Sequence, residues 1–142
     1  MRYLLDTNVI SEGLRPRPDA GVLGWQSGQS SLDLFVSVLS FGEIRKGVEL
    51  RFQDARRAGI ENWLTTLLPV QFRGRILPVG ETVALEWGRL AGEGQKTGRV
   101  LPPVDGLLIA TAIVHGMTLV TRNERDCANR GAPILNPWLP RG

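Results

Sequence analysis

Five residues of this chain have the types and spacing to do chemistry together: Asp6, Glu43, Asp105, Asn123 and Asp126. Asp6 directly follows the apolar run Tyr3-Leu4-Leu5. Glu43 lies in the first or second turn of a helical pattern after Leu34-Phe35-Val36-Ser37. Asp105 opens the helical pattern Val104 to His115, and Asn123 and Asp126 follow Met117-Thr118-Leu119-Val120-Thr121. Parallel sheets collect ligands at the carboxyl ends of their strands, so four carboxyl groups and one amide are placed to converge on one edge. Packed carboxylates repel one another, and one must take up a proton unless a cation is held among them. One His and one Cys are too few for a zinc site, whereas all-oxygen ligation selects Mg²⁺ or Mn²⁺. Such an ion with open positions binds phosphate oxygens and acidifies a bound water, which is the chemistry of phosphodiester hydrolysis.

Each residue also has a structural explanation of its own. Asp6 would cap a short helix from about Val9, although Asn8 stands closer and is an equally good cap. Ser40-Phe41-Gly42-Glu43 matches a capping box. Asp105 would complement the positive end of its helix, and Asp126 would be a solvated turn residue. These explanations account for the residues singly but not for their shared location.

The elements that must position them alternate. Strands are predicted at Tyr3–Leu5, Leu34–Ser37, Ile76–Val79 (an edge strand, because Pro78 cannot donate to a ladder), Met117–Thr121 and Pro133–Leu135. Helices are predicted at about Val38–Phe52, Ala55–Leu68, Glu81–Glu93 and Val104–His115. In the second of these, Ile60, Trp63, Leu64, Leu67 and Leu68 form the apolar stripe. Gly92, Gly94 and Gly98 are expected to open a mobile loop near the active edge, and Gly116 to end the helix before it. Strands separated by helices imply parallel βαβ units. The expected fold is a three-layer α/β/α sandwich around a parallel sheet of four to five strands, with residues 1–142 as one domain.

Composition narrows the class. The 142 residues carry a net charge of +3 and 22% charged residues. A single cysteine, Cys127, excludes an intramolecular disulfide and fits a reducing compartment. Tyr3-Leu4-Leu5 is far too short for an export signal, and no apolar run approaches the ~18 residues of a membrane span. A cytoplasmic protein without a membrane partner is expected. Arg45, Lys46, Arg51, Arg56, Arg57, Arg73 and Arg75 fall close together; they suit either phosphate oxygens or solvated helix faces. Gly94-Gln95-Lys96-Thr97 lacks the preceding strand and the Gly-Lys pair of a phosphate loop. His115 and the four tryptophans read as structural.

The stretches Leu4–Ser11, Ser37–Gly47, Val104–Ala112 and Leu119–Asn123, taken in order, resemble the PIN-domain family, and within it the VapC-type toxins of bacterial toxin–antitoxin pairs. The ending Leu135-Asn136-Pro137-Trp138 resembles one subgroup. The resemblance implies an Mg²⁺- or Mn²⁺-dependent endoribonuclease in which Asp6, Glu43 and Asp105 match the metal-ligating acids. Thr7 and Asn8 match polar residues around the first aspartate, and Thr121 one beside the metal pocket. The family's fourth acidic position falls on Asn123, with Asp126 three residues on as a substitute. The resemblance further implies an RNA substrate, a homodimer and an antitoxin whose tail fills the acidic groove, with operator DNA reached only through that antitoxin. Two alternatives stand beside it. One is a degenerate PIN domain that binds RNA or protein without cutting, which Asn123 would explain. The other is a phosphatase of the haloacid-dehalogenase type, which needs an acid where Asn8 stands.

Overall fold

The computed structural model describes residues 1–138. The chain runs β1 (Tyr3–Leu5), α1 (Thr7–Ile10), α2 (Ala20–Ser27), β2 (Leu34–Ser37), α3 (Val38–Arg51), α4 (Arg56–Asn62), α5 (Leu68–Gln71) and β3 (Ile76–Leu77). It continues α6 (Glu81–Lys96), α7 (Pro103–His115), β4 (Thr118–Val120), α8 (Glu124–Cys127) and β5 (Ile134–Leu135). The strands form one parallel sheet in the order β3-β2-β1-β4-β5. The chain therefore starts in the middle, builds outward through β2 and β3, then returns to add β4 and β5 on the other side of β1. The order reverses between β1 and β4, which makes the carboxyl ends of these two strands the natural ligand crevice.

The central strands are apolar on both sides because both sides are covered. Leu4 and Leu119 face one layer, where they pack with Val83 and Leu90 of α6 and Leu108, Ile109 and Ala112 of α7. Leu5, Val36 and Val120 face the other, against Val9, Val22, Trp25, Ile44, Leu64 and Leu68. This alternation produces the three-layer sandwich.

Several expectations are corrected. α2 and α8 have no counterpart in the predicted helices; both are short, and the apolar pattern of α2 is weak. The helix after Ala55 does not end at Leu68 but passes through a π-helical turn, Trp63–Leu67, and runs on to Gln71. Pro69 has no N–H to complete the regular ladder, and the extra residue in the wide turn accommodates it. That insertion rotates Leu67 out of the stripe, so Leu67 is exposed while Leu64 and Leu68 stay buried. The glycine-rich stretch is not a loop at Gly92 and Gly94, because α6 continues to Lys96. Gly94 is required there by close approach: a Cβ would lie 2.5 Å from the Arg99 carbonyl oxygen. Gly116 ends α7 in the left-handed region, with φ 65°.

Among the described residues, no helix is long and apolar enough to cross a membrane.

Candidate active site

The end of β1 and the end of β4 are tied together, since the Asp6 N–H donates to the Val120 carbonyl at 2.9 Å. Asp6 is the N-cap of α1, and its Oδ1 accepts from the Thr7 N–H at 2.6 Å. The capping role thus falls to Asp6 and not to Asn8, which lies within α1. Capping uses only one carboxyl oxygen. Oδ2 accepts from the Thr121 hydroxyl at 2.7 Å and from Asn8 Nδ2 at 3.3 Å. Asp6 is only 5% exposed. Burial pushes its carboxyl up to about 6; the Thr121 and Thr7 hydrogen bonds oppose the rise, and the charges of Asp105 and Glu43 add to it.

Glu43 owes its freedom to where α3 begins. The N-cap is Ser37, whose hydroxyl accepts from the Leu39 N–H at 3.1 Å. The helix has therefore already started at Ser40, and the expected Ser40–Glu43 capping box does not form. Ser40 is buried instead, 2.9 Å from the Thr7 hydroxyl. Thr7 donates to Glu43 Oε1 at 2.5 Å.

Asp105 sits in the first turn of α7, where the helix N-terminus favours a negative charge. Its carboxyl is nevertheless held above the usual range, first by partial burial and then by the charges of Asp126 and Glu43; Asn123 and Arg130 oppose the rise. Asn123 is the hub of this side. Its Nδ2 donates to Asp105 Oδ2 at 2.9 Å and to Asp126 Oδ2 at 3.1 Å, and its N–H donates to the Thr121 hydroxyl at 3.0 Å. Arg130 and Arg99 steady the segment from behind: Arg130 Nε donates to the Asp126 carbonyl at 2.6 Å and an Arg99 terminal nitrogen to the Ala128 carbonyl at 2.7 Å.

Asp6, Thr7, Asn8, Glu43, Asp105 and Asn123 all line one cavity of about 410 Å³, with Lys46 and Arg51 on its wall. Thr121 lies beneath Asp6. Asp126 is not on the cavity wall and meets Asp105 through the Asn123 amide. Among the described residues, no three acidic, His or Cys side chains stand close enough to enclose an ion as a ready-made cage. Each carboxylate is instead held by its own partner: Thr121, Thr7 or Asn123. The donor chemistry still fits a hard divalent cation. Its potential ligands are the carboxylates of Asp6, Glu43 and Asp105 with hydroxyl and amide oxygens beside them, and among the described residues the buried Asp6 carboxylate has no cationic partner to offset its desolvation.

Lys46 and Arg51 belong to the cavity, yet sequence reasoning placed them only within a general basic cluster. The spacing held a signal: Lys46 is three residues after Glu43 on the same helix and so shares its face. Arg130 also held a local signal that was passed over, since it stands four residues after Asp126, whose carbonyl its Nε reaches. Most of the other clustered arginines are structural. Arg45 and Arg57 each bridge Glu49 and Glu61 across α3 and α4, and Arg75 donates to the Ser31, Leu34 and Gln71 carbonyls.

A family model described as the PIN domain matches residues 3–131. The chain belongs to the PIN-domain family. This PIN domain is 33% identical over 135 residues to toxin FitB of Neisseria gonorrhoeae, covering 95% of this chain and 97% of the relative. It is also 33% identical over 137 residues to the VapC ribonuclease Y4jK of Sinorhizobium fredii, covering 96% and 98%. Among solved structures it is similar to FitAB bound to the IR36 DNA fragment, with a TM-score of 0.90, 33% identity, and coverage of 99% of this chain and 98% of that one.

Proposed function

We propose that this PIN domain is the toxin of a toxin–antitoxin pair and acts as an Mg²⁺- or Mn²⁺-dependent endoribonuclease. One observation carries the reading: a buried Asp6 carboxyl at the strand-order reversal, within electrostatic reach of Glu43 and Asp105 on two other elements. The likeness to FitB and to a VapC ribonuclease supports the toxin and ribonuclease parts.

Asp6, Asp105 and Glu43 would hold the cation, with Asn123 or Asp126 completing the set. When bound, it supplies charge stabilisation at the phosphate and lowers the pKa of a water. The chain's own groups do the positioning. Thr121 and the Thr7 N–H fix the two Asp6 oxygens. Thr7 engages Glu43 Oε1, which leaves Oε2 as the oxygen that would meet the cation or orient the water beside it. Lys46 and Arg51, on the same wall, take the non-bridging oxygens of the RNA chain.

An antitoxin partner, a homodimer and a cytoplasmic setting complete the proposal. DNA is contacted only through the antitoxin. The test is cleavage of RNA by the purified chain with Mn²⁺ and with chelator, beside Asp105→Asn. Cutting that requires the ion and is lost in the variant supports the assignment; full activity in chelator refutes it.

A second reading, a PIN domain that binds without cutting, is favoured by Asn123, whose amide bridges Asp105 and Asp126. It requires calorimetry to find no Mn²⁺ site destroyed by Asp105→Asn.

A further inference from the structure

Beside the acidic cavity lies a second depression of about 490 Å³ with the opposite charge. Its size falls within the roughly 300–1,000 Å³ of small-ligand sites. Its wall carries Arg15, Arg51, Arg56 and Arg122 together with the rings of Phe52 and Trp138. One lining carboxylate, Glu12, is nearly buried and accepts from the Asp19 N–H at 2.8 Å, with Arg15 at 3.6 Å. Arg56 pairs with Asp54 at the surface. Among the described residues, Arg51 and Arg122 have no ion-pair partner. Two arginines already lie over aromatic rings: Arg56 sits 5.0 Å from the Phe52 centroid and Arg122 5.2 Å from that of Trp138.

The two depressions share Asn8, Ser11 and Arg51, so they are adjoining parts of one groove. A chain whose phosphate lies against Asp6 and Asp105 passes Arg51 into the basic part.

We infer that this basic, aromatic depression is a substrate subsite, which holds a nucleobase and phosphate of single-stranded RNA flanking the bond to be cut. The inference rests on the ribonuclease reading above. Planar guanidinium–ring stacks accept a base face without regard to sequence, and free guanidinium groups take the phosphate. Charge separation along the groove explains how an anionic substrate is held at a site whose cutting end is itself acidic. RNA is favoured over an acidic peptide because the basic part continues from the carboxylates and presents flat rings beside the cations.

The test uses the full chain, a labelled 12-nucleotide single-stranded RNA and Mn²⁺. Wild type is compared with Arg122→Gln, Arg56→Gln, the double variant and Arg122→Lys, each checked by thermal melting. Binding is read by anisotropy on the Asp105→Asn background, across a salt series. Each Arg→Gln change is expected to raise KM and Kd roughly tenfold, with kcat within about twofold. Arg122→Gln should also flatten the slope of log K against log salt by about 0.7, whereas Arg56, already paired with Asp54, should change it less. Arg122→Lys keeps the charge and so the slope, while losing affinity to the stack. Wild-type cleavage with KM and slope unmoved in the double variant overturns the subsite and leaves the ribonuclease reading standing. No cleavage by wild type overturns both. If RNA binding is unmoved while binding of a labelled acidic dodecapeptide falls in the same variants, the depression serves a protein partner and the inference is wrong.

Discussion

Replacing Asp6 by Asn separates the site's needs from those of the fold. The Asp6 carboxyl is raised from 3.8 to about 6, chiefly by burial. At 1.36 kcal/mol per pH unit that rise corresponds to about 3 kcal/mol. Well below pH 4 the group is protonated in both folded and unfolded chains, and the fold bears no penalty. Between pH 4 and 6 the unfolded chain ionises first, so stability falls as pH rises and reaches its lower plateau above about pH 7. Asn cannot ionise and escapes this loss. It does place an NH₂ group opposite Asn8 Nδ2 and the Thr121 hydroxyl, which already accepts from the Asn123 N–H. That mismatch costs about 1 kcal/mol. The net expectation in chelator at pH 8 is a gain of about 2 kcal/mol, or roughly 6 °C in Tm for a domain of this size. At pH 4 wild type has lost only about 0.5 kcal/mol, less than the mismatch costs, and the variant should melt slightly below it. Calorimetry at pH 4, 6 and 8 measures the crossover. With Mn²⁺ at about a hundred times its Kd, wild type alone should gain about 2.7 kcal/mol. A variant less stable than wild type at pH 8 in chelator, or a difference that does not change with pH, would refute the reasoning.

Three further outcomes follow from the same geometry. Thr121→Val removes a hydrogen bond that lowers the Asp6 pKa, so the ascending limb of the pH–rate profile should move to higher pH; an unmoved limb means that Asp6 does not govern it. Asn123→Asp sets a third carboxylate against Asp105 and Asp126, and should lower stability by about 1–3 kcal/mol in chelator. Mn²⁺ should restore much of that loss, and equal melting curves in chelator would contradict the hub role given to the amide. Cys127 is fully buried and its thiol is pushed up to about 12, first by burial and then by the nearby aspartates. It should resist a thiol reagent at pH 8 until the chain is denatured, and rapid labelling of the folded protein would show that its surroundings open readily.

Much of the fold was legible from local pattern. All five strands were expected within a residue or two of where they lie, because runs such as Tyr3–Leu5 and Thr118–Val120 are apolar on both faces, as a covered parallel sheet demands. The chain order of strands and helices also located Asp6, Glu43 and Asp105 at the carboxyl edge. Errors arose where a local signal lost to a contact. Gly92 and Gly94 look like helix breakers, yet α6 runs through them since Gly94 lets the Arg99 backbone come close. Ser40–Glu43 looks like a cap, but Ser37 takes that role three residues earlier. The clustered arginines could not be sorted by sequence into those paired with Glu49 and Glu61 and those left for a ligand.

By itself the sequence determined the layered α/β arrangement and the acidic residues available to it, because hydrophobic period and strand-to-helix order are properties of neighbouring residues. Only the tertiary structure decided what those acids do. Desolvation of Asp6, the Thr7 hydroxyl on Glu43, the Asn123 amide between Asp105 and Asp126, and the meeting of Arg122 with Trp138 depend on groups distant in the chain. Their strength depends on how much water the packed layers exclude, and that is set only when β1 and β4 lie side by side.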